Sequence, residues 1–457
     1  MTKDLLRVFK PGTEEGWLKK ITSDLKEKPL ESLFWESEIG PINPVIFHSK
    51  KVTSDNFQQK ENNRWNIRQR FDAAATNVNE QILLALKGGI NSIEVSNLSS
   101  KNINDVFNEV MLDIIQVYID INTTDPKSII DTFYQYCTSE NISTKNLKGG
   151  FIYDPIGNVA LSGNWWEDEN KDLSSISEIL LAAGNFNNFC ILNINASTYC
   201  NGGANVDTQI AFAIAHANEY LNLFKDDLIL LEKIIQKTEF TFGIGTSYFL
   251  EIAKLRAFRS LWSTIITQYT SIEDIETKIH AINANLYYSN KDMYNNLLRA
   301  TTSGMSAVLG GCHSLSLLPF NNNASDNNEF GQRIAKNIQL IFQEESYLNQ
   351  VKDTSKGSYY VETLISILKK KSWANFLSIE KTGGFITALK NGDIQKQINK
   401  ELDKKVNDLK EDERTMIGVN RFVNENDNYT AGSELKGGLE NTSIKPIPQM
   451  RLSASYE

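Results

Sequence analysis

Short apolar runs alternate with longer helical patterns over residues 61–400 and predict an α/β fold, a (β/α)8 TIM barrel. Three observations carry this. The apolar runs have the length and composition of strands buried on both faces in a parallel sheet. The stretches between them are long enough for crossover helices. There are about eight such alternations, the number that closes a barrel. A doubly wound sheet has the same periodicity and stays open as the alternative.

The elements follow in order. Residues 1–60 are a helical N-terminal extension. Gly16–Lys28, GWLKKITSDLKEK, has helical spacing and is expected to stop at Pro29. Its apolar face, Trp17, Leu18, Ile21 and Leu25, could dock on the chain's own barrel or on a partner. Pro41 and Pro44 mark a break. The first four expected strands are Asn91–Val95, Ile114–Ile119, Gly149–Tyr153 and Phe189–Ile194. The last four are Phe240–Ile244, Ile279–Leu286, His313–Leu318 and Leu348–Lys352. Helices are expected over Asp207–Phe224, Tyr248–Ile266 and Asn295–Leu309; Ile252, Leu255, Leu261 and Ile265 give the second its apolar face. Residues 401–457 hold a strongly charged run, Glu401–Arg414, and then an extended tail that is polar over Asn424–Asn441.

Composition excludes several functions. The 457-residue chain is 41% hydrophobic and 23% charged, with a net charge of -9, as expected of a globular protein. It has no dense Lys/Arg tract, so a nucleic-acid partner is not expected. No apolar run is long enough to span a membrane, and the opening residues do not read as a signal peptide. The four cysteines, Cys137, Cys190, Cys200 and Cys312, are widely spaced and form no zinc or disulfide pattern. A reducing cytoplasm is the expected setting. Gly202–Gly203 and Phe242–Gly245 are tight turns; no phosphate-binding glycine motif is present. The adjacent Trp165 and Trp166 suit either partner contact or packing over a barrel mouth.

Several segments, taken together and in order, resemble the barrel domain of the methylmalonyl-CoA mutase family. They are Trp65–Gln69 (WNIRQ), Glu251–Trp262 (EIAKLRAFRSLW), Tyr294–Gly311 (YNNLLRATTSGMSAVLGG), Arg333–Ser346 (RIAKNIQLIFQEES) and Gly357–Glu362 (GSYYVE). The match covers roughly residues 17–420. Asp154–Pro155 with Gly157, and the ending IKPIPQMRLSASYE, resemble the small subunits. The resemblance implies a barrel that coenzyme A threads in active members, with adenosylcobalamin as cofactor. It also implies interconversion of (R)-methylmalonyl-CoA and succinyl-CoA. By the same resemblance WNIRQ precedes the first strand, and the N-terminal extension makes inter-subunit contacts.

The sequence departs from the active members' pattern at five places. No histidine among His48, His216, His280 and His313 stands in the D-x-H-x-x-G signature of the cobalt ligand. The chain ends where the cobalamin domain would begin, so that domain is expected to be absent. The family's Tyr–His pair, whose His polarises the thioester carbonyl, is matched by Tyr199 and Cys200; a neutral thiol is a poor donor. A Tyr beside the reactive carbon is matched by Arg70, expected instead in a salt bridge. The Arg that holds the substrate carboxylate is missing after GGFIYDP, where acidic Glu167–Glu169 stands. A Gln after the Gly-Gly pair is matched by His313. At the C-terminal end of a strand a His could act in catalysis, but a structural role is preferred.

These departures imply no catalytic residue on this chain, with Arg70, Tyr199, Cys200 and His313 as degenerate positions. The expected role is a non-catalytic small subunit that forms a heterodimer with a large catalytic subunit. Adenosylcobalamin would be bound by that partner. One alternative is an active mutase barrel whose cobalamin domain is a separate chain. Another is a repurposed enzyme using Cys200 with His313, which requires the two to approach within hydrogen-bond reach.

Overall fold

The computed structural model describes residues 12–26, 28–45, 62–272, 275–323, 329–427 and 442–457. The opening residues through Pro11, His48 and residues 428–441 of the polar stretch lie outside these.

The barrel begins in a segment that the sequence does not mark as an apolar run. Asn66–Asp72 (β1) alternates Ile67 and Phe71 with Arg68, Arg70 and Asp72. Its apolar side chains are buried, and its charged ones line the mouth and interior. WNIRQ therefore lies largely within the first strand rather than ahead of it. The remaining strands are Ser92–Ser96 (β2), Gln116–Asp120 (β3), Lys148–Ile152 (β4), the pair Asn188–Cys190 and Leu192–Asn195 (together β5), Thr238–Ile244 (β6), Lys278–Asn283 (β7) and Ser314–Ser316 (β8).

All eight are parallel. β5 is interrupted at Ile191: its first half pairs with β4 and its second with β6. Ser314 pairs with Asn66 and Leu315 with Ile67, which joins β8 to β1 and closes the ring. The predicted barrel is present, and the doubly wound alternative falls away. Leu348–Lys352 forms no strand. It connects the helices Glu329–Glu344 and Tyr359–Lys381, followed by Asp353, whose carboxylate takes Arg256 at 2.5 Å.

The Tyr248–Tyr269 helix is buried beyond its predicted apolar face. Lys254, Arg256 and Arg259 are each no more than 5% exposed. The cause is an extra layer: the Tyr359–Lys381 helix packs over both it and Val206–Leu223. Each buried cation is held by the chain. Lys254 Nζ donates to Gly243 O at 2.5 Å, and Arg259 Nη1 donates to Gly310 O at 2.8 Å at the end of the Asn295–Leu309 helix.

The N-terminal helix is Glu14–Leu25. It ends one residue before Lys26, which adopts a positive φ of 59°, so Pro29 is not what stops it. Trp17, Leu18, Ile21 and Leu25 are only half-buried, and no residue of this helix is buried. A hairpin of Trp35–Ser37 and Gly40–Ile42 follows. The side chain of its turn residue Glu38 is buried and accepts from Val206 N at 3.0 Å, at the positive end of the Val206–Leu223 helix. Lys405 from the Asp393–Lys410 helix stands 3.4 Å from Glu38.

The closing segment runs back across the barrel helices. Ile444 N donates to Gly163 O at 3.0 Å, and Ile447 N donates to Ala160 O at 2.8 Å. Arg451 then pairs with Glu457 at 2.6 Å. Among the described residues, no helix is long and apolar enough to cross a membrane.

Candidate functional site: the barrel mouth

In a parallel barrel the loops after the strands form one face, and sites gather there. Here that face carries a cavity of about 730 Å³. Arg70 and Asp72 of β1, Glu94 and Ser96 of β2, Asp120 of β3 and Asn195 of β5 stand around it.

Its floor is a charged layer that crosses the barrel. Arg68 of β1 donates to Glu239 of β6 through both terminal nitrogens, at 3.0 and 2.8 Å. Tyr118 of β3 and Asn193 of β5 donate to the same carboxylate at 3.1 and 3.0 Å. The guanidinium lies 3.4 Å from the centre of the Tyr118 ring. Side chains from three strands thus meet on the carboxylate of a fourth and fill the interior. Burial pushes the Tyr118 hydroxyl well above its ordinary pKa. Burial works against Arg68's charge, but Glu239 more than offsets this and holds it firmly protonated. His280 of β7 hydrogen-bonds Ser314 at 2.8 Å, and burial beside Arg68 drives its pKa well below 6.5, so the ring is neutral.

The four residues singled out in the sequence, Arg70, Tyr199, Cys200 and His313, do not come together in one site. Arg70 is 62% exposed at the mouth and bridges Asp120 at 3.1 Å and Glu94 at 3.6 Å. Tyr199 and Cys200 lie on the short helix Ser197–Asn201 after β5, and both are fully buried. Tyr199 points away from the mouth, into a network. Its hydroxyl is 2.8 Å from His216 Nδ1, and His216 Nε2 is 2.9 Å from Asp154. Asp154 also accepts from Tyr220 at 2.7 Å and from the backbone of Gly157 and Asn195. Burial favours the neutral acid, but His216 and these donors hold Asp154 below the usual carboxylate range.

Cys200 packs behind Gly243 of β6, where any side chain on the glycine would collide with it. Burial raises its thiol to about 12, so it is protonated near neutrality and a poor nucleophile. His313 precedes β8, at the opposite end of the barrel from Cys200. Its Nδ1 accepts from Ile279 N at 3.1 Å, and Nε2 is 3.0 Å from Glu276. The expectation that His313 could sit at the C-terminal end of a strand is therefore corrected. The Cys200–His313 pairing falls with it, because parallel strands put the two residues at opposite ends.

After β4, Trp166 stacks on Tyr153 with centroids 5.2 Å apart, and its backbone donates to Asp172 at 2.7 Å. The acidic stretch Glu167–Glu169 leads into the helix Glu169–Ala182, where Asp168 caps the first turn.

Two features of the site were not anticipated from sequence. The Arg68–Glu239 pair joins residues 171 positions apart, which no local pattern reports. The Asp154–His216 pair had half a signal: Asp-Pro is a helix-start pattern, and Asp154 does cap Pro155–Ser162.

Comparison with known proteins agrees with this architecture. A family model described as methylmalonyl-CoA mutase matches residues 66–454. The methylmalonyl-CoA mutase small subunit of Porphyromonas gingivalis (strain ATCC BAA-308 / W83) is 32% identical over 445 residues, covering 92% of this chain and 71% of that one. The small subunit of Streptomyces virginiae is 27% identical, covering 78% and 58%. The large subunit of Propionibacterium freudenreichii subsp. shermanii is 25% identical, covering 68% and 44%. The chain thus spans between 44% and 71% of the length of these relatives. With a matched region that begins at β1 and takes in all eight strands, this chain belongs to the methylmalonyl-CoA mutase family.

Proposed function

We propose that this chain is the non-catalytic small subunit of a heterodimeric methylmalonyl-CoA mutase. Its partner is a large subunit that interconverts (R)-methylmalonyl-CoA and succinyl-CoA. The observation that carries this reading is the Arg68–Glu239 layer with Tyr118 and Asn193. A long substrate threading the barrel would have to break a buried, bidentate ion pair, which costs several kcal/mol (~3–5). Two further positions add to it: Arg70 is committed to two carboxylates, and Cys200 is buried behind Gly243, away from the cavity lining.

The described histidines do not fit a cobalt ligand. His216 and His313 have both ring nitrogens engaged, and His280 is buried inside the barrel on Ser314. Among the described residues, no group of three His, Cys, Asp or Glu side chains is arranged to hold a metal. Adenosylcobalamin is accordingly assigned to the large subunit. The half-buried apolar face of the Glu14–Leu25 helix supports a role for residues 1–60 in contacting that partner, with 61–400 as the barrel and 401–457 as its closing segment.

The test is co-expression with the large mutase subunit of the same source, followed by mass measurement and assay. A one-to-one complex with mutase activity, and no turnover by this chain alone with cofactor added, is expected. Turnover by the isolated chain, or failure of the two subunits to associate, would remove the reading.

A further inference from the structure

We infer that the inner face of the Glu329–Glu344 helix forms a binding site for a small oxyanion, a carboxylate or phosphate group, where two cavities meet beside β1. Gln332, Lys336 and Gln339 are spaced four and three residues apart, so they share one stripe of the helix. All three line the mouth cavity. Gln332 and Lys336 also line a second cavity of about 440 Å³, which separates this helix from the Val78–Lys87 helix.

The Trp65 indole can only donate, which fixes the polarity of Gln339, and the pairing with Gln69 orients Gln332. Gln69 donates to the Gln332 carbonyl at 2.8 Å, and the Trp65 indole donates to the Gln339 carbonyl at 3.3 Å. Each glutamine therefore turns its NH2 away from that bond. Neither NH2 meets an acceptor among the described residues, although Gln339 is only 2% exposed. Lys336 is half-buried against Gly88 and makes no hydrogen bond or ion pair with a described residue. Burial, and then the nearby charge of Arg333, make its ammonium easier to deprotonate, the mark of a cation short of a counter-charge.

Three donors, one of them charged, thus face shared space with no acceptor of their own. Their complement is an anion with several acceptor oxygens. The carboxylates that line the mouth cavity do not fill this need. Asp120 and Glu94 are paired with Arg70, and Asp72 accepts from Asn97 at 2.8 Å. Glu80 and Glu329 line the second cavity but are solvent-exposed. The site uses none of the groups on which the subunit reading rests, so either can fail alone.

The test is calorimetric titration of the full chain at constant ionic strength, once with inorganic phosphate and once with acetate. Saturable binding is expected, weakened about tenfold or more by Lys336→Met, as loss of a charge-assisted bond implies. Gln332→Leu and Gln339→Leu should weaken it several-fold. Tighter binding of phosphate assigns a phosphate ligand, and tighter binding of acetate assigns a carboxylate. No saturation with either ion, or unchanged binding in folded Lys336→Met and Gln332→Leu, would overturn the inference. Lys336→Met decides the matter if Gln339→Leu fails to fold, because Lys336 lies at the cavity edge and not in the core.

Discussion

Glu239→Gln is the most searching change to make in the barrel. The carboxylate accepts four hydrogen bonds: two from Arg68, one from Tyr118 and one from Asn193. An amide of the same shape has one acceptor oxygen, and its NH2 must face groups that are themselves donors. Arg68 would keep only Glu94, at 3.9 Å, as a counter-charge, in a side chain 1% exposed. Removing one partner of such a pair leaves an uncompensated buried charge and costs about 3–5 kcal/mol. The double change Arg68→Met with Glu239→Leu removes both charges and should return to within about 1–2 kcal/mol of the wild type, or exceed it. Urea unfolding followed by tryptophan fluorescence and circular dichroism measures both, with coincident transitions checking that one step is observed. Loss of less than about 1 kcal/mol in Glu239→Gln would refute the claim that this layer holds the barrel shut.

Three further outcomes are expected. All four cysteines are buried, and burial raises Cys137 and Cys200 to about 12, so a thiol reagent at pH 8 should leave them unmodified until the chain is unfolded. Rapid labelling of the native protein, located by mass spectrometry, would contradict this. Cys200→His should lower stability by about 1–3 kcal/mol, because the imidazole overpacks the space behind Gly243, and it should confer no turnover. Asp207 has a buried oxygen without a partner, and burial, then Glu401, raise its pKa to about 6. The folded state therefore holds this proton more tightly than the unfolded chain. Its contribution is full below about pH 4 and is lost as pH rises through 6. Asp207→Asn should remove that pH dependence and stabilise the protein at pH 7 by at most about 3 kcal/mol, measured as melting temperature against pH.

The sequence by itself determined the fold class, because seven of the eight strands are marked by their own residues. Phe240–Ile244 and Asn91–Val95 read as strands since both faces of a parallel barrel strand are covered. The Asn295–Leu309 helix was legible to the residue, as its apolar spacing is a local property. The family could also be read from ordered segments.

Tertiary structure alone decided the rest. β1 was missed as a strand because its inward residues are charged, and only the partner across the barrel explains why Arg68 can be buried. Leu348–Lys352 was misread because a short apolar run looks the same in a connector as in a strand. Strand direction set Cys200 and His313 at opposite ends, which no spacing along the chain reveals. The filled interior, the Tyr199–His216–Asp154 network and the donor stripe of Gln332, Lys336 and Gln339 share one reason. Each depends on which distant side chain accepts a given proton or charge, and closure of the ring is what brings those side chains together.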